Sequence, residues 1–205
     1  MVRGVLFSVV LLCAMSANGL SAQPSPASRP YAQEYGTSLP PMGYVAFCAR
    51  GEAECKAKAS THERIKLTPQ IWDMVSAVNL GVNTHVIPMS DEEQYGVPDY
   101  WTYPVKAGDC EDYALEKKRE LVALGVAPRD LLMTVVLDEN GEGHAILTVA
   151  TDKGDYMLDN RRNEILRWDQ THYKFLKRQS QLDPMQWVSL KPNSEQVLVS
   201  SQTTK

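Results

Sequence analysis

Three residues far apart in the chain, Cys110, His144 and Asp159, are of the types that together break an amide bond. A thiol becomes a nucleophile when its thiolate is populated, and the first turn of a helix favours the thiolate through its macrodipole and free backbone N–H groups. Cys110 has that position. Asp109 reads as the N-cap of a helix that runs to about Leu124 and stops at Gly125, and Asp112 stands where the second partner of a capping box belongs. Cleavage of an amide also needs a base that later protonates the departing amine, and a third group that orients the base. His144 and Asp159 suit those tasks. Each residue also has a plainer reading: Cys110 as a packed thiol, His144 as a strand-end surface residue, Asp159 as a turn-capping carboxylate beside Asn160. His172 competes as the base but lies in the charged stretch from Arg167 to Arg178, and His62 and His85 read as surface residues.

Positioning these groups requires particular elements. Leu131–Leu137, His144–Thr151 and Tyr156–Asn160 are β-rich runs separated by turn residues, which predicts an antiparallel meander after the Cys110 helix. If residues 151–154 form the second connection, His144 falls opposite Arg161 and Asp159 lies diagonally on the same face; a connection of three residues puts Asp159 on the other face. The buried side of the Cys110 helix is expected from Ala114, Leu115, Leu121, Val122 and Leu124. Upstream, Thr68 caps a second helix that opens with Pro69 and carries Ile71, Val75, Val78 and Val82 at helical spacing. The stretch from Pro88 to Pro104 is rich in breakers and aromatics and reads as an ordered loop, with Tyr95–Tyr103 as the expected wall of a cleft.

The chain has 205 residues, 43% of them apolar and 22% charged, which fits one globular domain with flanking segments. A net charge of −4 offers no footprint for nucleic acid. Residues 1–22 have the order of a secretory signal peptide: Arg3, the apolar run Val5–Ala14, then small and polar residues to Ala22. A periplasmic or secreted protein without a membrane span is therefore expected, and Leu12 argues against a lipid anchor on Cys13. Residues 23–46 read as an extended, weakly packed leader, 47–190 as the domain, and 191–205 as a polar tail. Loss of Cys13 with the signal leaves Cys48 and Cys55, which can close a disulfide across a Gly51 turn, and Cys110 unpaired. A zinc site from Cys48, Cys55 and His62 lacks a fourth ligand.

The segments Gly108-Asp109-Cys110-Glu111-Asp112, Gly143-His144-Ala145-Ile146-Leu147 and Leu158-Asp159-Asn160, preceded by Trp72, Asn79 and Asp99–Pro104, resemble the bacterial transglutaminase-like cysteine peptidase family. Its LapG-type branch consists of periplasmic proteases that clip large adhesins from the cell surface. The resemblance covers Phe47–Asn160 and implies an α+β, papain/transglutaminase-like core, with a cysteine-bearing helix packed on an antiparallel sheet that bears histidine and aspartate. It further implies Cys110 as nucleophile, His144 as base and acid, Asp159 as orienting group, and a calcium ion (Ca2+) held by Asp109 and Glu111; two side chains fall short of the oxygens calcium takes, so its other ligands would have to come from backbone carbonyls or the 91–99 loop. Two carboxylates beside a thiolate disfavour its charge, which a hard cation would relieve; the plainer reading is that they complement the positive end of the helix and cap it. A protein substrate, such as a surface adhesin, follows from the same resemblance, although the Phe47–Cys55 segment departs from the adhesin-clipping members and leaves the substrate open. Transamidation by the same triad and a non-catalytic binding or scaffold role are the competing functions.

Overall fold

The structure, a computed structural model, describes residues 29–192; the expected signal peptide and nearly all of the polar tail lie outside the described residues. In chain order the elements are β1 (Thr37–Ser38), α1 (Met42–Ala49), α2 (Pro69–His85), β2 (Ile87–Pro88), α3 (Asp91–Tyr95), β3 (Ala107–Gly108), α4 (Cys110–Ala123), β4 (Leu131–Leu137), β5 (Gly143–Thr151), β6 (Gly154–Leu158), β7 (Leu166–Arg167), β8 (Lys174–Gln179) and β9 (Trp187–Ser189). Seven strands form one antiparallel sheet in the order β1-β9-β8-β4-β5-β6-β7, and β2 pairs with β3 in a short parallel ladder. The architecture is α+β, with helices on one face of the sheet.

Alternation along the strands sorts the core into two layers. Leu131 and Met133 of β4, Leu147 and Val149 of β5 and Leu158 of β6 pack with Val75, Val78 and Val82 of α2 and Ala114, Leu115 and Leu121 of α4. Val136, Ile146, Met157 and Tyr173 form a smaller cluster, covered by Trp168 and Phe175. The α2 start follows its sequence signature: the Thr68 hydroxyl accepts from Ile71 N at 3.3 Å, and Pro69 is the first helical residue. On α4 the apolar stripe is narrower than expected, because Val122 and Leu124 are exposed. Its buried side is completed instead by Lys117 and Lys118, the latter paired with Glu54 at 2.8 Å and Gln179 at 2.9 Å.

The expectation of a weakly packed leader is corrected for residues 29–46. Tyr44 is fully buried and packs its ring against Phe47, Trp101 and Trp187 at centroid distances of 5.5–6.0 Å. β1 pairs with β9, Ala32 N donates to Asp155 Oδ2 at 2.9 Å, and Glu34 pairs with Arg178 at 2.8 Å. A Pro- and Ser-rich composition lacks periodicity, yet isolated aromatics and backbone groups suffice to hold such a segment once a sheet edge is available to pair with it. Cys48 and Cys55 are joined by a disulfide that ties the end of α1 to the loop following it.

Asp155 anchors this packing. Its Oδ2 accepts from Arg178 Nη1 at 2.7 Å and its Oδ1 from Arg64 Nη1 at 2.5 Å, with the Asp155 and Arg178 side chains 0% and 2% exposed. Removing one partner of a buried ion pair strands the other charge, so Asp155→Ala should destabilise the fold by roughly 3–5 kcal/mol, read as a lower urea midpoint. A change within about 0.5 kcal/mol would show the pair to be dispensable.

Candidate active site

α4 delivers Cys110 to the sheet at the point where β5 begins. The parallel β2–β3 ladder fixes the approach: Met89 N donates to Gly108 O at 3.1 Å, and a Cβ on Gly108 would lie 2.6–2.7 Å from the Asp112 side chain, so only glycine lets the chain enter the helix this closely. Asp109 is the N-cap residue, but it makes no side-chain cap bond, which corrects the expected capping box. Its Oδ2 instead accepts from Asp91 N at 3.3 Å, while Asp112 Oδ1 accepts from Thr102 N at 2.8 Å. Asp109 and Asp112, at the start of α4, thus hold neighbouring segments.

His144 and Asp159 meet. Thr151 pairs with Gly154 and Leu147 with Leu158, the register in which residues 144 and 159 share a face. Asp159 lies one residue beyond β6, short of the longer strand expected, and its Oδ1 bonds to His144 Nε2 at 3.0 Å with both side chains 1% exposed. Oδ1 also accepts from Arg161 N at 3.0 Å, and Oδ2 accepts from the Tyr173 hydroxyl at 2.5 Å, with Arg162 Nε 3.5 Å away. Burial alone would raise the Asp159 pKa; the hydrogen bonds from His144 and Tyr173 outweigh it and hold the carboxyl at about 2. His144 Nδ1 is buried without a protein partner.

Cys110 and His144 line one cleft of about 160 Å³ together with Pro41, Trp101, Val135 and Ala145. On its other side Cys110 borders a wider hollow of about 350 Å³, lined by Met89, Ser90, Glu93, Asn160 and Arg161 among others. The Sγ donates to Glu111 Oε2 at 3.2 Å and accepts from Ala145 N at 3.4 Å. Contrary to the expectation of a helix-lowered thiol, burial and then the Glu111 charge push the Cys110 pKa well up, so the resting thiol is neutral. Of the aromatic loop, Trp101 reaches the cleft; Tyr103 faces a separate hollow with Arg119 and Val122. Trp101 is pinned by Tyr44 and by Arg50, which donates to its carbonyl and stacks on Tyr100 at 4.6 Å.

Carboxylates crowd the thiol. One oxygen from each of Asp91, Asp109 and Glu111 falls within a 4.8 Å cluster, and Asp91 Oδ1, Asp109 Oδ1 and Asp112 Oδ2 are buried without partners. Burial, with the neighbouring Asp109, raises Glu111 to about 9, and burial raises Asp112 to about 8. His62, His85 and His172 are exposed, in keeping with their reading as surface residues. Sequence reasoning missed Tyr173 and Arg162 beside Asp159. The alternation of Tyr173 and Phe175 around Lys174 was the signal for a strand there, hidden by the charges of the 167–178 stretch.

Because Asp159 is held near 2 in the fold against roughly 3.9 in an unfolded chain, its stabilisation is complete above pH ~4 and is lost as pH falls through about 2. Wild type should therefore lose roughly 2 kcal/mol more unfolding free energy between pH 5 and pH 2 than Asp159→Asn does. Parallel stability curves in denaturant titrations across that range would contradict the assignment.

A sequence model of the bacterial transglutaminase-like cysteine proteinases (BTLCP) matches residues 34–195. No curated protein matches at comparable stringency. Among solved structures, calcium-bound Legionella pneumophila LapG aligns with a TM-score of 0.51 and 24% identity over 63% of this chain and 74% of that one. Another structure of Legionella pneumophila LapG aligns with a TM-score of 0.50 and 22% identity over 78% and 84% of the two chains. At this identity the two structures support the fold, while the family match spans most of the sequence. The chain belongs to the bacterial transglutaminase-like cysteine proteinases.

Proposed function

We propose that this cysteine peptidase cleaves an amide bond in a periplasmic or cell-surface protein with Cys110 as nucleophile, His144 as base and then acid, and Asp159 as the group that orients the imidazole. The bond between His144 Nε2 and Asp159 Oδ1 carries the reading. With Nε2 engaged, Nδ1 is the nitrogen left for proton transfer; it has no other partner, and its residue shares a cleft with Cys110. Since the thiol rests neutral, the reaction begins with its proton passing from Sγ to Nδ1, for which the thiol turns away from Glu111. Sγ then bonds to the carbonyl carbon, and the oxyanion is met by backbone N–H groups of the first turn of α4. The imidazolium returns its proton to the amine as the C–N bond breaks, and water deprotonated by the same nitrogen hydrolyses the thioester.

The acidic cluster fits a hard cation, because buried oxygens of Asp91 and Asp109 lack donors and burial, with the neighbouring Asp109, raises Glu111 far above the usual carboxylate range. Asp91, Asp109 and Glu111 would hold calcium, with backbone carbonyls and water completing the about six to eight oxygens it takes. Legionella pneumophila LapG, whose fold is similar, has a calcium-bound structure. When bound, the ion would neutralise the carboxylates that face the thiol. Export through residues 1–22 fits a surface substrate, and among the described residues no helix is long and apolar enough to cross a membrane.

Incubation of the purified protein with surface proteins of the producing bacterium should generate new protein N-termini, none with Cys110→Ala and roughly a thousandfold fewer with His144→Ala. Continued cleavage by Cys110→Ala would remove the nucleophile assignment, and incorporation of added methylamine at the new C-termini would make the enzyme a transamidase. Calcium at about a hundred times its Kd should stabilise wild type by about 2.7 kcal/mol in thermal unfolding, and Asp109→Asn/Glu111→Gln much less. Equal stabilisation of both proteins would place the ion elsewhere.

A further inference from the structure

The carboxylate of Asp159 is gripped from two sides. His144 Nε2 and Arg161 N, both at 3.0 Å, occupy Oδ1. The Tyr173 hydroxyl, at 2.5 Å, occupies Oδ2 and comes from the residue before β8, a strand separated from β5 by β4. An aspartate carboxylate held at one oxygen turns readily about its last side-chain bond, since that torsion is broad. Tyr173 also touches the other half of the pair: its ring meets the His144 ring edge-on, with centroids 5.6 Å apart and planes at 73°. Arg162 makes weaker contacts to the same groups, 3.5 Å to Asp159 Oδ2 and 3.4 Å to the Tyr173 hydroxyl, from a side chain 30% exposed. It cannot substitute for the shorter, buried bond.

We propose that Tyr173 is a positioning residue for the reaction: its hydroxyl locks the Asp159 carboxylate and its ring closes against the imidazole, so that His144 keeps Nδ1 turned toward the Cys110 cleft. The inference rests on the triad reading above. Tyr173 is suited to a permanent donor role, because burial and the adjacent Asp159 raise its pKa and keep the hydroxyl protonated. Its ring belongs to the cluster of Val136, Ile146 and Met157, so the sheet's second hydrophobic layer is what holds the donor still.

The test is a double-mutant cycle. Alkylation of Cys110 by iodoacetamide at pH 7 is measured for wild type, Tyr173→Phe, Asp159→Asn and the double variant, beside the imidazole NMR signals of His144. Tyr173→Phe keeps the ring and should slow alkylation about tenfold, as expected for losing one hydrogen bond to a charged group. It should also shift the His144 Nε2–H resonance, yet add nothing in the Asp159→Asn background. A merely structural tyrosine would give additive losses and an unmoved resonance, and either result overturns the inference. If Asp159→Asn alkylates at the wild-type rate, the triad reading falls and takes this one with it; if Asp159→Asn is slow and Tyr173→Phe is not, only this one falls. Independently of how the variant folds, wild type should show a slowly exchanging Tyr173 hydroxyl proton with a through-space signal to the His144 ring, and its absence would also overturn the proposal.

Discussion

The register of β5 against β6 is the constraint on which the rest of the site depends. Side chains alternate across a sheet with period two, so the pairing of Thr151 with Gly154 determines whether residues 144 and 159 share a face. A slip of one residue between β5 and β6 would turn Asp159 away from His144 and carry Leu158 out of the main core. Leu147, Val149 and Leu158, buried with the helices, therefore select the same register that joins the imidazole to its carboxylate. Stability and chemistry are set by one choice.

The thiol is positioned by a separate device. The β2–β3 ladder and the close approach at Gly108 bring the start of α4 against Ala145, whose N–H donates to Sγ, so Cys110 is referenced to the same strand that carries His144. This arrangement has an electrostatic consequence. A helix start normally favours a thiolate, but here burial of the thiol, and then the neighbouring Glu111, push its pKa up instead. Other carboxylates nearby serve as loop anchors: Asp91 takes Tyr100 N, Asp112 takes Thr102 N, and between them Trp101 is held as a cleft wall.

Much of this was legible in the chain itself. The Asp109–Gly125 helix, the three β runs and the Thr68 cap announced themselves through local signals, namely turn residues, capping types and periodicity, each decided within a few residues. The Cys48–Cys55 pair followed from counting thiols. Residue types at Cys110, His144 and Asp159 suggested the proposed chemistry, and the segments around them pointed to the family. What sequence could not supply were partners whose proximity is made by the sheet. Tyr173 reaches Asp159 from the position just before β8, Asp91 reaches Asp109 across the aromatic loop, and Tyr44 enters the core from a segment whose composition suggested a tether. The state of the thiol was likewise a tertiary outcome, because desolvation depends on every atom packed around Sγ, whereas the helix dipole that favoured ionisation is local and visible in sequence.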